Sequence, residues 1–269
     1  MSAAALAGRA RAIAASARRV GGGLLAAGAR EGFSRFEGLI AKNEHGTDLF
    51  FDPRDLEWPA LLEAEWQTIR DEMQRLLPHV GVLLQEGDLF MNDASPVADK
   101  SSWRIYLLIA AGQPRELAAR QCPGTLSALQ SVPRIRNAMF SVLRSNAHIT
   151  PHRGAFKGIL RYHLPLKVAD PAKCRLRVGS ETVSWHEGKS LIFDDTHEHE
   201  AWNDTAEDRV ILMIDFERPL PTLLGAMNSS LIRAMESQLM KVAGKNLFRW
   251  EEAYGKELDT LLGREASEK

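Results

Sequence analysis

The feature that most constrains the fold is a run of short apolar segments between residues 138 and 216, separated by turn residues. In the last segment, apolar side chains occupy every second position from Val210 to Phe216, which is the period of a half-buried strand. No long helical pattern interrupts the run, and closely spaced strands without crossover helices favour an antiparallel barrel or jelly roll over a parallel α/β sheet. The clearest candidate strands cover residues 158–167, 174–178, 190–194 and 209–216.

Helical patterns lie on both sides of this β region. The lead-in carries apolar residues on one helical face, from Leu56 to Met73, with Pro59 suited to a helix start. A short helix is expected at 125–129, and two further helices after Pro221, the second through Trp250. We therefore expect four segments: a basic, Ala/Gly-rich tail at residues 1–30, a helical lead-in at 31–84, a β core at 85–218 and C-terminal helices at 219–269.

The tail has no acidic residue and five arginines. Leu6, Ile13, Val20 and Leu24 fall on one helical stripe, so this segment suits a peripheral contact with an anionic membrane or an organelle presequence. A frayed, alanine-rich tail is the alternative interpretation.

Composition excludes several classes of protein. A formal net charge of −1 gives no reason to expect a nucleic-acid partner. The two cysteines, Cys122 and Cys174, are too few for a disulfide framework, and no apolar run is long enough for a membrane helix. We expect a cytoplasmic protein, peripheral to a membrane if the tail binds one.

The histidines are concentrated, because six of the eight lie between positions 148 and 199. Jelly-roll iron sites take one histidine from an early strand and one from a late strand, and His152 and His199 are suitably placed. Neutral imidazoles suit Fe(II). Arg209 stands at the head of the last strand, where a guanidinium can bind a carboxylate in bidentate fashion or can simply be a surface charge.

The stretch from Cys122 to Pro219 resembles the aspartyl/asparaginyl β-hydroxylase family of Fe(II)/2-oxoglutarate oxygenases. The matching residues, in chain order, are 140–143, 149–154, 160–166, 174–179, Trp185, Gly188, 193–203, Arg209 and 215–219.

This resemblance implies a double-stranded β-helix, the jelly roll of cupin-like proteins, with flanking α-helices. It implies that His152 and His199 bind Fe(II), and that Arg209 binds the distal carboxylate of the co-substrate 2-oxoglutarate, with O₂ as oxidant. It implies further 2-oxoglutarate contacts from Trp103, Ser141, Arg161 and His163. Strand alternation agrees with part of this, because residues 161 and 163 share one face of their strand.

Three departures concern the substrate and the metal. Ser145–Asn146 and 155–157 differ from the family's usual residues at positions expected to border the substrate. Gly154 stands where many enzymes of this chemistry carry a ligating aspartate, so we expect water there, held by Asp194 or Asp195.

The activity expected is hydroxylation of an unactivated C–H bond. The first substrate expected is the β-carbon of an aspartyl or asparaginyl group, in a peptide, on a carrier or in a small molecule. The second is a fatty acyl chain, as for the lipid A 2-hydroxylases. Halogenation and a catalytically inactive cupin-like binding protein remain as alternatives, and the oligomeric state is left open.

Overall fold

The computed structural model describes residues 23–82, 84–85 and 102–267. Most of the tail expected at 1–30, and the first part of the expected β core after Gln85, lie outside these residues. The chain divides into two compact units, the second beginning at Asp48. The described part of the first unit is helix α1 (Gly23–Ala41) followed by a series of turns to residue 47.

The second unit contains the remaining elements. Its helices are α2 (Trp58–Ala64), α3 (Trp66–Leu76), α4 (Glu116–Gln121), α5 (Pro123–Leu129) and α6 (Thr222–Ser267), with 3₁₀ turns at Pro53–Asp55 and Leu77–Val82. Its strands are β1 (Phe50–Phe51), β2 (Leu84–Gln85), β3 (Trp103–Ala110), β4 (Gln113–Pro114), β5 (Ile135–Leu143), β6 (Ala147–His152), β7 (Ile159–Lys167), β8 (Cys174–Val178), β9 (Glu181–Ser184), β10 (Leu191–Phe193), β11 (His199–Asn203) and β12 (Arg209–Glu217).

These strands form two antiparallel sheets. The large sheet has the order β1-β10-β7-β12-β5-β3-β2, with β4 paired to β3, and the small sheet has the order β6-β11-β8-β9. From β5 to β12 the chain passes back and forth between the two sheets, which is the winding of a double-stranded β-helix. The predicted fold is confirmed, and the predicted strands correspond to β7, β8, β10 and β12.

The two faces of the large sheet have different partners. On β7 and β12, Leu160, Tyr162, Leu212 and Phe216 belong to one buried cluster with residues of helices α2 to α6. The Trp58 ring lies 4.8 Å from that of Tyr162 and 5.1 Å from that of Phe216. The alternate residues of the same strands face the barrel interior, as the period-two pattern predicts.

Two helical predictions need correction. The apolar stripe expected from Leu56 to Met73 is not one helix: Leu56 follows the 3₁₀ turn, and the rest is divided between α2 and α3, which meet at Glu65. The C-terminal region is one continuous helix, α6, in place of the two helices expected. No proline follows Pro221, and Gly244, which lies between the two expected helices, costs only about 1 kcal/mol in a helix interior. Within the described residues, no helix is both long and apolar enough to cross a membrane.

Candidate active site

Two histidines face each other at one end of the barrel. His152 ends β6 and His199 begins β11, and the two are direct partners across the strands. Their ring centroids lie 4.0 Å apart. The Nδ1 atom of His152 lies 2.8 Å from the Thr150 carbonyl, and Nδ1 of His199 lies 3.0 Å from the His197 carbonyl. A carbonyl only accepts, so each Nδ1 carries the hydrogen, and a ring in its neutral form then has its lone pair on Nε2.

Burial keeps the inner ring uncharged. Loss of hydration lowers the pKa of His199 to about 2, with a further contribution from His152 and the Arg161 charge. A neutral imidazole with its lone pair on Nε2 is the form that binds transition metals. The structure thus brings together the two residues predicted as metal ligands, in a tautomer suited to that role.

A carboxylate fills the space beside Gly154. An added Cβ at Gly154 would lie 2.0 Å from Oδ1 of Asp195, far inside contact distance. The Gly154 N–H also donates to the Asp195 carbonyl at 2.6 Å. The space that a side chain at position 154 would enter is therefore occupied by the Asp195 carboxylate, from the segment before β11.

Asp194 and Asp195 have different surroundings. Burial raises the pKa of Asp195 to about 6, although the Arg161 guanidinium at 3.1 Å opposes this. Burial would also raise the pKa of Asp194, but the charges of Arg218 and Lys157 outweigh it and hold that pKa below its ordinary value. Asp194 is thus fixed in ion pairs away from Gly154, and Asp195 is the better-placed acid.

Arg209 is a buried cation with no counter-ion among the residues that the structure describes. It is 2% exposed, and among the described residues no carboxylate pairs with its guanidinium. Its Nε has no hydrogen-bond partner there, and the guanidinium carbon lies 4.6 Å from the centre of the Trp185 ring. Burial lowers the pKa of Arg209 to about 10, so the side chain stays charged at neutral pH. An isolated buried charge is costly, which indicates a site for an anion.

The other predicted contacts line the same barrel interior. The Trp103 indole N–H donates to Oγ of Ser141 at 3.0 Å. Arg161 is shared between Asp195 and Asp215, with its Nε 2.9 Å from the Asp215 carboxylate. Their roles toward a ligand stay predictions.

His163 also faces the interior. Its Nε2 is buried without a hydrogen-bond partner among the described residues. Burial holds its pKa well below the ordinary value, with contributions from Arg161 and Arg209, so its imidazole is neutral.

Sequence reasoning gave no role to two interior residues. Trp185 lies against both Arg209 and His163, and Asp215 holds Arg161. Trp185 was part of the family motif, but nothing in the pattern indicated its contacts. His148 lies on the outer surface, stacked on Trp202 and bound to Glu200 at 2.9 Å.

The double-stranded β-helix with flanking helices places this chain among cupin-like jelly-roll proteins. The sequence profile described as aspartyl/asparaginyl β-hydroxylase matches residues 63–219. The chain belongs to this family, as the sequence motifs predicted, and it is an enzyme of the hydroxylase class.

Two relatives illustrate the range of the family. An ornithine lipid ester-linked acyl 2-hydroxylase of Rhizobium tropici is 33% identical over 221 residues, which cover 81% of this chain and 78% of that protein. The human aspartyl/asparaginyl β-hydroxylase is 32% identical over 163 residues, which cover 59% of this chain and only 21% of that protein. This chain therefore spans about a fifth of the human relative.

Among solved structures, a prolyl-4-hydroxylase of Pseudomonas putida is 15% identical to this chain and superposes with a TM-score of 0.40. The aligned region covers 69% of this chain and 100% of the prolyl-4-hydroxylase. This similarity is too low to support an argument.

Proposed function

We propose that this protein is an Fe(II)- and 2-oxoglutarate-dependent hydroxylase. The observation that carries the proposal is the uncompensated Arg209 guanidinium, buried in the barrel that holds the facing imidazoles of His152 and His199. A dicarboxylate with one end at the metal and the other at Arg209 would satisfy both. Bound iron and 2-oxoglutarate would supply the oxidation of a C–H bond by O₂, with succinate and CO₂ as co-products.

The residues present fit this metal. His152 and His199 would hold the ion through Nε2, since each Nδ1 is bonded to a backbone carbonyl. Two neutral imidazoles do not compensate a divalent charge. Gly154 has no side chain to bind the metal, and Asp195, beside it, is the carboxylate that would hold a water in place of that ligand. Because 2-oxoglutarate is a dianion, we expect it and the metal to strengthen each other's binding.

The chain would position the co-substrate and exclude water from it. Arg209 offers a guanidinium whose geometry matches a carboxylate, and Ser141 offers a hydroxyl. Trp185 and Phe193 are both fully buried and surround this part of the interior with apolar surface. A dry site strengthens the attraction between Arg209 and a carboxylate.

We propose a lipid acyl chain as the substrate. The Rhizobium relative, which acts on an ester-linked acyl chain by its name, matches this chain over most of both lengths. The residues at 145–146 and 155–157 depart from the aspartyl hydroxylase pattern at positions expected to border the substrate. An aspartyl or asparaginyl group, the first choice from the sequence, is the competing candidate.

An exposed apolar surface on α6 also favours an acyl chain. Asn228 of α6 donates to the Gly158 carbonyl at 2.8 Å, which ties this helix to the loop after His152. On the same turns of α6, Leu223 is 77% exposed and Met227 is 48% exposed. Residues 222–232 carry no charge. Exposed apolar side chains on an uncharged stretch of helix suit contact with a lipid surface.

The test is succinate formation with iron, ascorbate and 2-oxoglutarate, against a panel of acyl lipids in vesicles, aspartyl peptides and free amino acids. We expect turnover with an acyl lipid and a product hydroxylated on the acyl chain. Turnover only with aspartyl peptides would reject the lipid and retain the cofactors. A chlorinated product in high chloride would replace hydroxylation with halogenation. No 2-oxoglutarate binding by the metal-loaded protein would reject the proposed function.

A further inference from the structure

Trp185 lies at the centre of the barrel interior, just after β9. It is 1% exposed, and its indole nitrogen lies 3.3 Å from Nδ1 of His163, with the two ring centroids 5.9 Å apart. The other partner of the indole is the Arg209 guanidinium. One side chain therefore contacts two of the residues predicted to bind 2-oxoglutarate.

The contact with His163 has only one chemically sensible direction. An indole N–H donates and has no lone pair in its ring plane with which to accept. Nδ1 of His163 must then be the acceptor, so it carries no hydrogen. Because burial keeps this imidazole neutral, its one ring hydrogen is on Nε2.

The consequence is a donor that faces no acceptor. Nε2 of His163 is buried and has no hydrogen-bond partner among the described residues, and the same holds for Nε of Arg209. Leaving a buried N–H unpaired costs free energy, so such groups mark a position where a ligand oxygen belongs. Both unpaired donors belong to side chains that contact Trp185.

We infer that Trp185 is a positioning residue that fixes the tautomer of His163, so that Nε2–H donates to a carboxylate oxygen of the co-substrate. The inference rests on the proposed function for the identity of that ligand. The contact with Arg209 acts in the same direction, since an indole face packed against a guanidinium limits its orientations.

Fixing the tautomer also protects the metal site. With its hydrogen on Nδ1 instead, His163 would present an imidazole lone pair to the interior, as His152 and His199 do. The Phe193 ring contacts both His163 and His199, with ring centroids at 5.0 Å and 5.6 Å. A third imidazole lone pair so close would repel the co-substrate carboxylate and compete for the metal.

The experiment compares wild-type protein with Trp185→Phe, which keeps an aromatic ring and removes the N–H. Trp202→Phe is the control, because Trp202 is partly exposed and stacks on His148 outside the barrel. The first readout is ¹⁵N NMR of the His163 imidazole in metal-free protein. We expect an unprotonated Nδ1 and a protonated Nε2 in wild type and in Trp202→Phe, and a mixture of tautomers in Trp185→Phe.

The second readout is the dissociation constant of 2-oxoglutarate, measured by calorimetry without oxygen and with Mn(II) in place of iron. We expect about tenfold weaker binding in Trp185→Phe, the scale of one lost hydrogen bond to a charged group, and no change in Trp202→Phe. Thermal unfolding establishes that each variant is folded.

Two results would overturn the inference: a protonated Nδ1 in wild-type His163, or an unchanged tautomer and affinity in Trp185→Phe. The wild-type spectrum decides the tautomer even if the variant does not fold. If wild-type protein fails to bind 2-oxoglutarate, the proposed function falls. The inference about the co-substrate falls with it, and the spectrum still decides the tautomer.

Discussion

The outer and inner faces of the large sheet come from the same strands and are opposite in character. On β12 the even-numbered residues from Val210 to Phe216 join the apolar core beneath the helices. The odd-numbered positions include Arg209 and Asp215, which are both buried. The outer face is apolar, whereas the inner face keeps buried charges and the unpaired donors of Arg209 and His163. Burying such groups opposes folding, so we infer that the outer face stabilises the fold and the inner face is organised for a ligand.

The largest effect is expected on the outer face. Phe216→Ala removes a ring packed edge-on against Trp58 at 5.1 Å and should lower the free energy of unfolding by about 3–5 kcal/mol. Urea unfolding of the purified variant measures this, with the milder Phe216→Leu as the matched control. A loss below about 1 kcal/mol would mean that this face contributes far less than its burial indicates.

The inner face should respond in the opposite sense. Arg209→Met keeps an unbranched side chain and removes the isolated charge, so 2-oxoglutarate binding should weaken by about 2–5 kcal/mol. The free energy of unfolding of the ligand-free protein should stay the same or rise, because replacing buried charge with apolar groups is often stabilising. Calorimetry and urea unfolding together check the prediction. A destabilisation comparable to that of Phe216→Ala would remove the contrast between the faces.

A smaller effect is expected where the inner face meets the histidines. Gly154→Ala places a Cβ 2.0 Å from the Asp195 carboxylate, which must move, at a cost of about 1–3 kcal/mol. In an Asp195→Gly background the same alanine should cost little, because the crowding is gone. Unfolding of the two single variants and the double variant gives the coupling between them. Additive costs would show that Asp195 is not what limits position 154.

The smallest effect on stability is expected at the surface. Leu223→Ser combined with Met227→Ser should change the free energy of unfolding by less than about 0.5 kcal/mol, since both side chains are exposed. Turnover of an acyl lipid in anionic vesicles should fall several-fold, whereas 2-oxoglutarate binding should not change. Leu61→Ser, at a leucine that is 55% exposed on α2, is the control. An equal fall in both proteins would count against a specific contact at Leu223.

Most of the fold was predictable because strand alternation is a local property. The period from Val210 to Phe216 identified β12 and its two faces, and the spacing of Arg161 and His163 gave their common face. The single helix α6 was missed because Gly244 lies between its two apolar stretches, and a glycine does not by itself show whether a helix ends. Ion pairs distant in sequence, such as Arg115 with Glu251 at 2.5 Å, anchor the helix to the rest of the unit.

The candidate site was predictable where a family motif existed and ambiguous where only composition was available. No local pattern favours Asp195 over its neighbour Asp194. The choice depends on ion pairs from Lys157 and Arg218, which other segments bring to Asp194. The contacts of Trp185 likewise depend on how β9 and β12 meet inside the barrel, which no local pattern encodes.

The place occupied by the Asp195 carboxylate has a consequence for how such an enzyme can evolve. An ancestor or descendant with a ligating aspartate at position 154 differs from this chain by what looks like one substitution. Here, however, the space for that side chain is already taken, with Asp195 atoms 2.0–2.4 Å from where its Cβ would begin. Aspartate at 154 alone would crowd two carboxylates together, and loss of Asp195 alone would remove the one that is there. On the proposed metal site, passage from two histidines to two histidines and one carboxylate would therefore require both positions to change.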